Sequence, residues 1–430
     1  DADDLSEIYL RIPMNFITNL TRIWLTRSAK PFIFKNDYDQ NLPFSDCENL
    51  VLYIHLPFCR NICGFCPYCK VRYSKELCDR YIDALLREIH LVGNQYIGKK
   101  TVTSLYFGGG TPALAADRFG AIIDAVKEHF IITEGIGAEL HPDDVTPSVL
   151  QILKNAGVTK ISIGIQSFQT KFQSMLGRTT VNAAALKNTL SIVPFETVSM
   201  DFIFALPGQT LADLKADVDA AFQNGANHVA IYPFIDFTFT SGAVAPMPRK
   251  EKQALLDAIT LYCMDQGYTR SSVWTFADSR DAKYSSMTRD TFLGFGCSAA
   301  TLLKDQFKIN TFSVEEYCKR ILAGKLPTSL TLRFSLRQRM VYYLFWTAYS
   351  TKIDARDFEK FFGIPLKKMY GMELKIAERL GFLTSENGVY HMTLKGAFYY
   401  HYYESFYTLA YIDKMWGIMR REAFPERIEL

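Results

Sequence analysis

The feature that most constrains the fold is an alternation of short apolar runs with helix-period segments, which begins near residue 50. Apolar, β-branched runs that helices separate indicate parallel strands buried on both faces. The alternation repeats six times, and the predicted strands are Val51–Ile54, Thr101–Phe107, Gly137–Leu140, Lys160–Ile165, Val198–Ala205 and His228–Phe234. Six such units predict an α/β protein built on a partial (βα)6 barrel, with its functional groups at the C-terminal ends of the strands.

Three cysteines follow the first predicted strand directly. Cys59, Cys63 and Cys66 have the spacing Cys-x3-Cys-x2-Cys and follow the lead-in Tyr53-Ile-His-Leu-Pro-Phe. Thiolates are the usual ligands of a [4Fe–4S] cluster. Three thiolates bind three irons and leave the fourth iron open, so the spacing predicts a metal centre that takes part in chemistry.

A structural zinc site is the alternative for these cysteines. Zinc usually takes four nitrogen or sulfur ligands in paired knuckles, and Cys69 and His55 are candidates to extend the set. The lead-in Tyr-x-His-x-Pro-Phe and the glycine run described next have no role in a zinc knuckle. We therefore favour the cluster.

The glycine run Gly108-Gly109-Gly110-Thr111-Pro112 ends the second predicted strand. Without a Cβ, its backbone can approach a ligand closely and adopt positive φ. Such a run is by itself more often a tight turn. Its place one βα unit after the cysteine loop favours a site whose backbone groups bind the ammonium and carboxylate of a ligand.

Together these motifs resemble those of the radical S-adenosylmethionine (SAM) superfamily and, within it, the HemN-like family of oxygen-independent coproporphyrinogen III dehydrogenases. The resemblance covers about residues 50–235 and also rests on Gly164-Ile-Gln166-Ser-Phe168 and Asp201-Phe-Ile-Phe-Ala-Leu-Pro207-Gly-Gln-Thr210. It implies that SAM fills the open iron site and that an electron from the cluster cleaves SAM to a 5′-deoxyadenosyl radical. It also implies one bound SAM or two, and a flavodoxin- or ferredoxin-type electron donor.

The resemblance implies roles for single residues as well. The implied cluster ligands are Cys59, Cys63 and Cys66. The SAM pocket would be lined by Tyr53 and Phe65, and the methionyl end of SAM would be held by Gly109, Gly110 and Thr111. The polar groups of SAM would be bound by Glu139, Gln166, Arg178 and Asp201, and a second SAM pocket would include Phe234. The four polar residues lie in or just after apolar strands, where an unpaired polar group is costly. A satisfied hydrogen bond in the core is the alternative for each of them.

Cys69 departs from the family pattern. The coproporphyrinogen enzymes carry a further cysteine two residues after the third ligand, whereas Cys69 follows Cys66 by three residues. Cys69 is either a catalytic thiol in the substrate pocket or a small buried residue. The family's founding reaction is therefore disfavoured relative to other reactions of the same cofactors.

Several activities are compatible with the resemblance. The leading substrate class is a tetrapyrrole, in coproporphyrinogen-type oxidation or in methyl-radical haem modification or degradation. The alternatives are a two-SAM methyltransferase or cyclopropanase that acts on another metabolite, and a haem-binding chaperone. Related chaperones carry His-Asn and then Tyr-Trp ahead of the glycine-broken segment Thr291–Ala300, where this chain has Asp281-Ala-Lys-Tyr284. That difference disfavours the chaperone.

Changes in pattern along the chain predict four regions. They are an N-terminal extension (1–46), the radical SAM partial barrel (47–245), a family-specific extension (246–326), and a winged-helix-like and helical C-terminal domain (327–430). Residues 354–396 predict two helices and a hairpin at Asn387-Gly388. The second helix carries Glu373 and Glu378 beside its basic residues, so no basic face for DNA stands out. The family resemblance implies instead that this module covers the substrate side of the barrel. The aromatic run 398–407 is expected to pack on the barrel rather than stack on a tetrapyrrole.

The expected location is the cytoplasm, with no nucleic-acid or membrane partner. The net charge is only +3, and no apolar stretch reaches the roughly 18 residues of a membrane-spanning helix. The N-terminus, Asp1-Ala-Asp-Asp, lacks the features of a secretory signal. Five of the nine cysteines lie between Cys47 and Cys69, and the rest of the chain is poor in cysteine, which favours reduced thiols over disulfides.

Overall fold

The computed structural model describes residues 16–37, 40–240, 246–278 and 290–430 of the protein. The strands in this part of the chain are β1 (Ile33–Lys35), β2 (Leu50–Leu56), β3 (Phe58–Cys59), β4 (Val71–Arg72), β5 (Lys100–Val102), β6 (Leu105–Gly109), β7 (Phe130–Ile132), β8 (Ile136–Leu140), β9 (Lys160–Gln166), β10 (Thr197–Phe204), β11 (His228–Pro233), β12 (Thr269–Ser272), β13 (Thr275–Ala277), β14 (Thr291–Phe295), β15 (Ala300–Leu302), β16 (Gln306–Asn310), β17 (Thr328–Arg333), β18 (Lys352–Asp354), β19 (Leu383–Glu386), β20 (Val389–Met392) and β21 (Arg427–Glu429).

Several helices begin at a side-chain cap. For example, Thr210 and Asp213 form a reciprocal capping box at the start of one of them. The α-helices described are α1 (Phe16–Thr26), α2 (Lys75–Gly93), α3 (Phe119–His129), α4 (Pro147–Asn155), α5 (Thr170–Met175), α6 (Ala183–Ile192), α7 (Leu211–Gln223), α8 (Arg249–Asp265), α9 (Val314–Leu322), α10 (Leu336–Tyr349), α11 (Ala355–Phe362), α12 (Leu366–Arg379), α13 (Leu394–Tyr407) and α14 (Asp413–Met419). No helix among the described residues is both long and apolar enough to cross a membrane.

Seven parallel strands form the centre of the main sheet. Their order is β14-β2-β6-β8-β9-β10-β11, and each neighbouring pair is parallel. This confirms the predicted α/β barrel architecture, whose six strands are β2, β6, β8, β9, β10 and β11. The seventh strand, β14, lies in the segment that the sequence marked only as apolar and glycine-broken, and it pairs with β2 along its whole length.

The second predicted strand is split in two. Its first part is β5, which pairs with β7 in a separate small sheet, and only its second part, β6, joins the barrel. Between them, the N–H of Thr103 and the carbonyl of Ser104 bond to the backbone of β2 at 2.9 Å each. The chain therefore changes partners at Thr103-Ser104, within a run that the sequence predicted as one strand.

Antiparallel strands extend the sheet on both sides of the parallel centre. Beyond β14 the order continues β15-β16-β17-β1-β21, and beyond β11 it continues β13-β12. Because β1 lies between β17 and β21, the predicted N-terminal extension contributes a strand to the sheet, next to the strand from the end of the chain.

Strand β2 shows how the barrel separates its core from its interior. Leu50, Leu52, Ile54 and Leu56 alternate along the strand, and all are fully buried under the covering helices. Tyr53 and His55 therefore point to the opposite face, toward the barrel interior. This alternation places a tyrosine and a histidine directly ahead of the cysteine loop.

The C-terminal region contains the predicted winged-helix-like module. Helices α11 and α12 lead into the hairpin β19–β20, which with β18 forms a three-stranded sheet. The hairpin turns at Asn387 and Gly388, both with positive φ. Helix α13 then packs on the body, where the ring of His401 lies 5.6 Å from that of Trp274 and 5.9 Å from that of Phe204, as expected for a packing role.

Candidate functional site

The three predicted cluster ligands share one loop, which runs from β2 to β4. The loop is closed at its base, because β3 pairs with β4 and the N–H of Tyr73 donates to the carbonyl of Cys59 at 2.9 Å. An ion pair of 2.5 Å between Arg60 and the buried Asp144 ties the loop to the turn that follows β8. The loop thus lies over the C-terminal ends of the parallel strands.

The chemistry of these three thiols fits a cluster better than a single ion. Within the described part of the chain, their sulfurs do not form a group whose members all lie within 4.8 Å of one another, whereas tetrahedral zinc holds two thiolates about 3.8 Å apart. Burial, with the neighbouring Cys66 and Cys63, raises the pKa of Cys59 to about 11, and burial raises the pKa of Cys63. A cationic metal centre would offset this cost of deprotonation.

The glycine turn contacts the cysteine loop directly. The N–H of Gly110 donates to Leu56 O at 2.8 Å, and that of Thr111 donates to Phe58 O at 2.7 Å. A Cβ on Gly110 would lie 2.5 Å from the same Phe58 oxygen, so only glycine allows this approach. Hydrogen bonding from Thr111 also lowers the pKa of Cys59, against the larger effect of burial.

Two carboxyl groups lie inside the barrel beside this turn. Glu139 accepts a hydrogen bond from the N–H of Gly109, and burial together with nearby Asp201 raises the pKa of Glu139 to about 7. Burial raises the pKa of Asp201 to about 6, although Ser162 and Ser199 donate to its two oxygens at 2.7 and 3.2 Å. Both oxygens of Asp201 thus accept a hydrogen bond from a serine, and Glu139 is hydrogen-bonded to Gly109 and Tyr106.

Gln166 and Arg178 approach each other above the end of β9. Gln166 has a φ of 71°, and it lies where the pairing of β9 with β10 shifts register next to Asp201. Such strain in a residue other than glycine costs about 1–3 kcal/mol and is common at binding sites. Burial lowers the pKa of Arg178, whose charge lies near the thiols of Cys63 and Cys66. Among the residues that the structure describes, none accepts a hydrogen bond from its guanidinium.

Phe65 and Phe234 share one apolar wall. Phe234 is 4% exposed and packs with Phe172, Leu176, Ile203 and Leu206, and Phe65 of the cysteine loop packs against the same group. The sequence assigned the two phenylalanines to two different SAM pockets. The structure brings them together, so one wall would serve both.

Tyr53 and Cys69 lie near the two ends of the cysteine loop. The Tyr53 hydroxyl is 3.0 Å from Nδ1 of His55, and burial raises the pKa of Tyr53 well above its usual range. Cys69 is 6% exposed, and its thiol donates to the carbonyl of Phe312 at 3.2 Å. Of the two roles considered for Cys69, its position is that of a buried residue.

Three residues that sequence reasoning missed adjoin the site. Tyr68 is 54% exposed and interacts electrostatically with Glu139 and Asp201, so it lies near the two carboxyls. Trp416 lies 6.0 Å from the ring of Tyr68, and Arg420 donates to the carbonyl of Pro67. Tyr68 is visible in the sequence as part of Cys66-Pro-Tyr-Cys69, but nothing in the sequence connects residues near 416–420 to this loop.

Three kinds of comparison relate this chain to known proteins. Residues 53–221 match the family model described as the radical SAM superfamily. The haem chaperone HemW of Lactococcus lactis is 27% identical over 361 residues, which are 80% of this chain and 93% of that protein. The anaerobilin synthase of Escherichia coli O157:H7 is 26% identical over 301 residues, 66% of this chain and 67% of that one. The crystal structure of coproporphyrinogen III oxidase (HemN) from Escherichia coli matches 89% of this chain and 98% of its own with a TM-score of 0.73, at 20% identity, and so shares the fold.

Proposed function

We propose that this chain, a radical SAM enzyme of the HemN-like family with a [4Fe–4S] cluster and SAM as its cofactors, cleaves SAM reductively in order to modify a tetrapyrrole. When bound, the cluster supplies the electron that cleaves SAM to a 5′-deoxyadenosyl radical. The reaction class is either coproporphyrinogen-type oxidation or methyl-radical modification or degradation of haem.

One observation carries the proposal: the cysteine loop and the glycine turn are bonded together over the ends of the barrel strands. The backbone bonds of Gly110 and Thr111 hold the turn against the residues that lead into Cys59. A ligand held by the turn is therefore held beside the three thiols, which is the geometry that reductive cleavage of a bound ligand needs.

The charged residues divide the ligand's polar groups between them. Arg178 suits a carboxylate, because its guanidinium faces the site with no protein acceptor among the described residues. Glu139, with a pKa of about 7, suits an ammonium group, which would hold it ionised. We assign the ribose hydroxyls to Gln166 and Asp201 and the ring contacts to Tyr53 and Phe65.

The aromatic and basic groups next to Tyr68 suit a large, planar, acidic substrate. Tyr68 and Trp416 present aromatic rings, and the guanidinium of Arg420 lies 4.5 Å above the ring of Phe239. Tetrapyrroles are flat and carry carboxylate side chains, which such groups can stack on and pair with. The names of the relatives, a haem chaperone and an anaerobilin synthase, point to the same substrate class.

The test is an anaerobic assay of the reconstituted protein with dithionite and SAM. Haem and coproporphyrinogen III are added separately, and 5′-deoxyadenosine and the tetrapyrrole products are measured. SAM with a deuterated methyl group separates the two routes: deuterium in the 5′-deoxyadenosine indicates that a second SAM serves as methyl donor, and Phe234 would then belong to its pocket. If 5′-deoxyadenosine forms but neither tetrapyrrole is modified, the result would favour a methyltransferase or cyclopropanase that acts on another metabolite.

A haem-binding chaperone is the second candidate, favoured by the similarity to HemW over 93% of that protein's length. The residues in which the sequence differed from the chaperone pattern, Asp281 to Tyr284, lie outside the described residues. Titration with haem, with SAM cleavage assayed in parallel, distinguishes the two candidates. Stoichiometric haem binding without a tetrapyrrole product would support the chaperone.

A further inference from the structure

Three buried metal-ligating side chains that the cluster does not use meet at the base of the cysteine loop. His55, Cys69 and Cys297 are 3%, 6% and 0% exposed. Each offers one ligand atom, and these atoms lie within 4.8 Å of one another. His55 lies on β2, Cys69 ends the cysteine loop, and Cys297 follows β14, so three separate segments converge on one point.

The donor set has the chemistry of a zinc site. Zinc binds thiolate and imidazole, and two cysteines with one histidine are a known three-residue set that leaves one coordination position for another ligand. Charge balance also favours a divalent ion. Two thiolates neutralise one such ion, so the filled site would place no net charge in the protein interior, where an uncompensated charge is costly.

One polar contact of the three side chains depends on whether Cys69 keeps its proton. The Cys69 sulfur lies 3.2 Å from the carbonyl oxygen of Phe312, a contact that is favourable only while the thiol keeps its proton. Zinc binding would convert this thiol to a thiolate, and the bound cation would remove the repulsion between the thiolate and the carbonyl oxygen.

A buried network fixes the positions of the ligand residues. The Tyr81 hydroxyl donates to the carbonyl of His55 at 2.7 Å and accepts from the N–H of Cys297 at 2.9 Å, so it connects two of the three. The buried carboxyl of Glu88 accepts from the N–H of Gly296 at 2.7 Å and holds the same turn. Both nitrogens of His55 are bonded, to the Tyr53 hydroxyl and to the Cys69 carbonyl at 3.0 Å each. A cation would replace one of these bonds, and the other would orient the ring.

We propose that His55, Cys69 and Cys297 bind one zinc ion at a site separate from the iron–sulfur cluster. Zinc binding would release the two thiol protons to solvent and change no oxidation state. The ion would connect His55, which precedes the cysteine loop, with Cys69, which ends it. It would therefore hold together both ends of the loop that presents Cys59, Cys63 and Cys66, whatever substrate the enzyme takes.

The test uses the full-length holoprotein, reconstituted anaerobically with iron, sulfide and one equivalent of zinc and then passed over a desalting column with a weak chelator. We expect one zinc to remain per chain alongside the cluster iron. X-ray absorption at the zinc edge should show two sulfur neighbours at about 2.3 Å and a nitrogen neighbour at about 2.0–2.1 Å. The Cys297→Ser variant should lose the zinc on the column, whereas Cys263→Ser, which removes another fully buried thiol on α8, should keep it.

Three results would overturn the proposal. One is the absence of retained zinc in the wild-type holoprotein. Another is zinc with only nitrogen and oxygen neighbours, which would place it at the half-exposed pair His90 and His129, whose ring nitrogens lie 2.9 Å apart. The third is a Cys69–Cys297 disulfide, found by mass spectrometry, that forms while zinc is present. If Cys297→Ser does not fold, the wild-type absorption spectrum decides alone.

Discussion

Glu139 accepts a hydrogen bond from the backbone N–H of Gly109 at 3.1 Å, and this bond joins the barrel interior to the glycine turn. It places a carboxyl with a pKa of about 7 where the turn would hold an ammonium group. The glycine turn also bonds to the cysteine loop, so Glu139, the glycine turn and the cluster cysteines are connected through direct contacts.

SAM affinity should depend on the ionisation of Glu139. A nearby cation favours the carboxylate, so affinity should rise as the pH increases through about 7 and level off above it, when Glu139 is already ionised without ligand. Glu139→Gln should weaken binding and flatten this rise. Equilibrium SAM binding between about pH 6 and about pH 8, without reductant, measures it. Glu134→Gln, on the exposed segment before β8, is the control, and an unchanged pH profile in Glu139→Gln would contradict the assignment.

The close approach of Gly110 to the cysteine loop should be essential. A Cβ at this position would meet the Phe58 carbonyl at 2.5 Å, so Gly110→Ala must push the turn and the loop apart. We expect SAM cleavage to fall by about a hundredfold, as misplacement of about 1 Å does at reacting centres, while most of the iron is retained. Gly120→Ala is the matched control, because a Cβ there meets nothing within 4 Å. Full activity in Gly110→Ala would show that the contact has no role.

Arg178 should act on SAM binding through a fork of hydrogen bonds rather than through charge alone. Lysine keeps the charge but loses the paired donors, so Arg178→Lys should raise the KM for SAM about tenfold or more with a smaller effect on kcat. Arg356→Lys, in an ion pair with Asp354 on the C-terminal module, should change neither constant. Steady-state 5′-deoxyadenosine formation measures both. A drop in kcat at unchanged KM would mean that Arg178 does not hold the substrate.

Phe234 should support the cysteine loop through the apolar wall that it shares with Phe65. Phe234→Ala removes a buried aromatic ring and should lower the free energy of unfolding by about 3–5 kcal/mol. Because Phe65 packs on the same wall, the loop should also hold its cluster less firmly, and iron should be lost faster to a chelator. Ile97→Ala, at a fully exposed side chain, should change stability by less than about 0.5 kcal/mol. If Phe234→Ala lost iron at the wild-type rate, the apolar wall would have no role in supporting the cysteine loop.

The barrel could be predicted from the sequence because its strands are continuous apolar runs and its helices follow at regular intervals. Strand β14 could not, because it lies outside the six-unit alternation and joins β2 only through contacts with residues more than two hundred positions earlier. The same limit applies to the site. The cysteine spacing and the glycine turn are local patterns, whereas the meeting of Cys69 with Cys297, and of Tyr68 with Trp416, depends on the tertiary fold. Phe234 is a different case. The family resemblance assigned Phe234 and Phe65 to two different pockets, whereas in the fold they pack in the same apolar group.

We expect this chain to use Cys59, Cys63 and Cys66 to cleave SAM reductively. The most direct measurement compares 5′-deoxyadenosine formation by the reconstituted wild-type protein and by Cys59→Ala, each incubated anaerobically with SAM and dithionite. We predict that the wild type forms 5′-deoxyadenosine and methionine, either in multiple turnovers or in an amount that increases with substrate. Cys59→Ala should form none above background. A wild-type protein that binds four irons and SAM but forms no 5′-deoxyadenosine, with or without a tetrapyrrole, would contradict it.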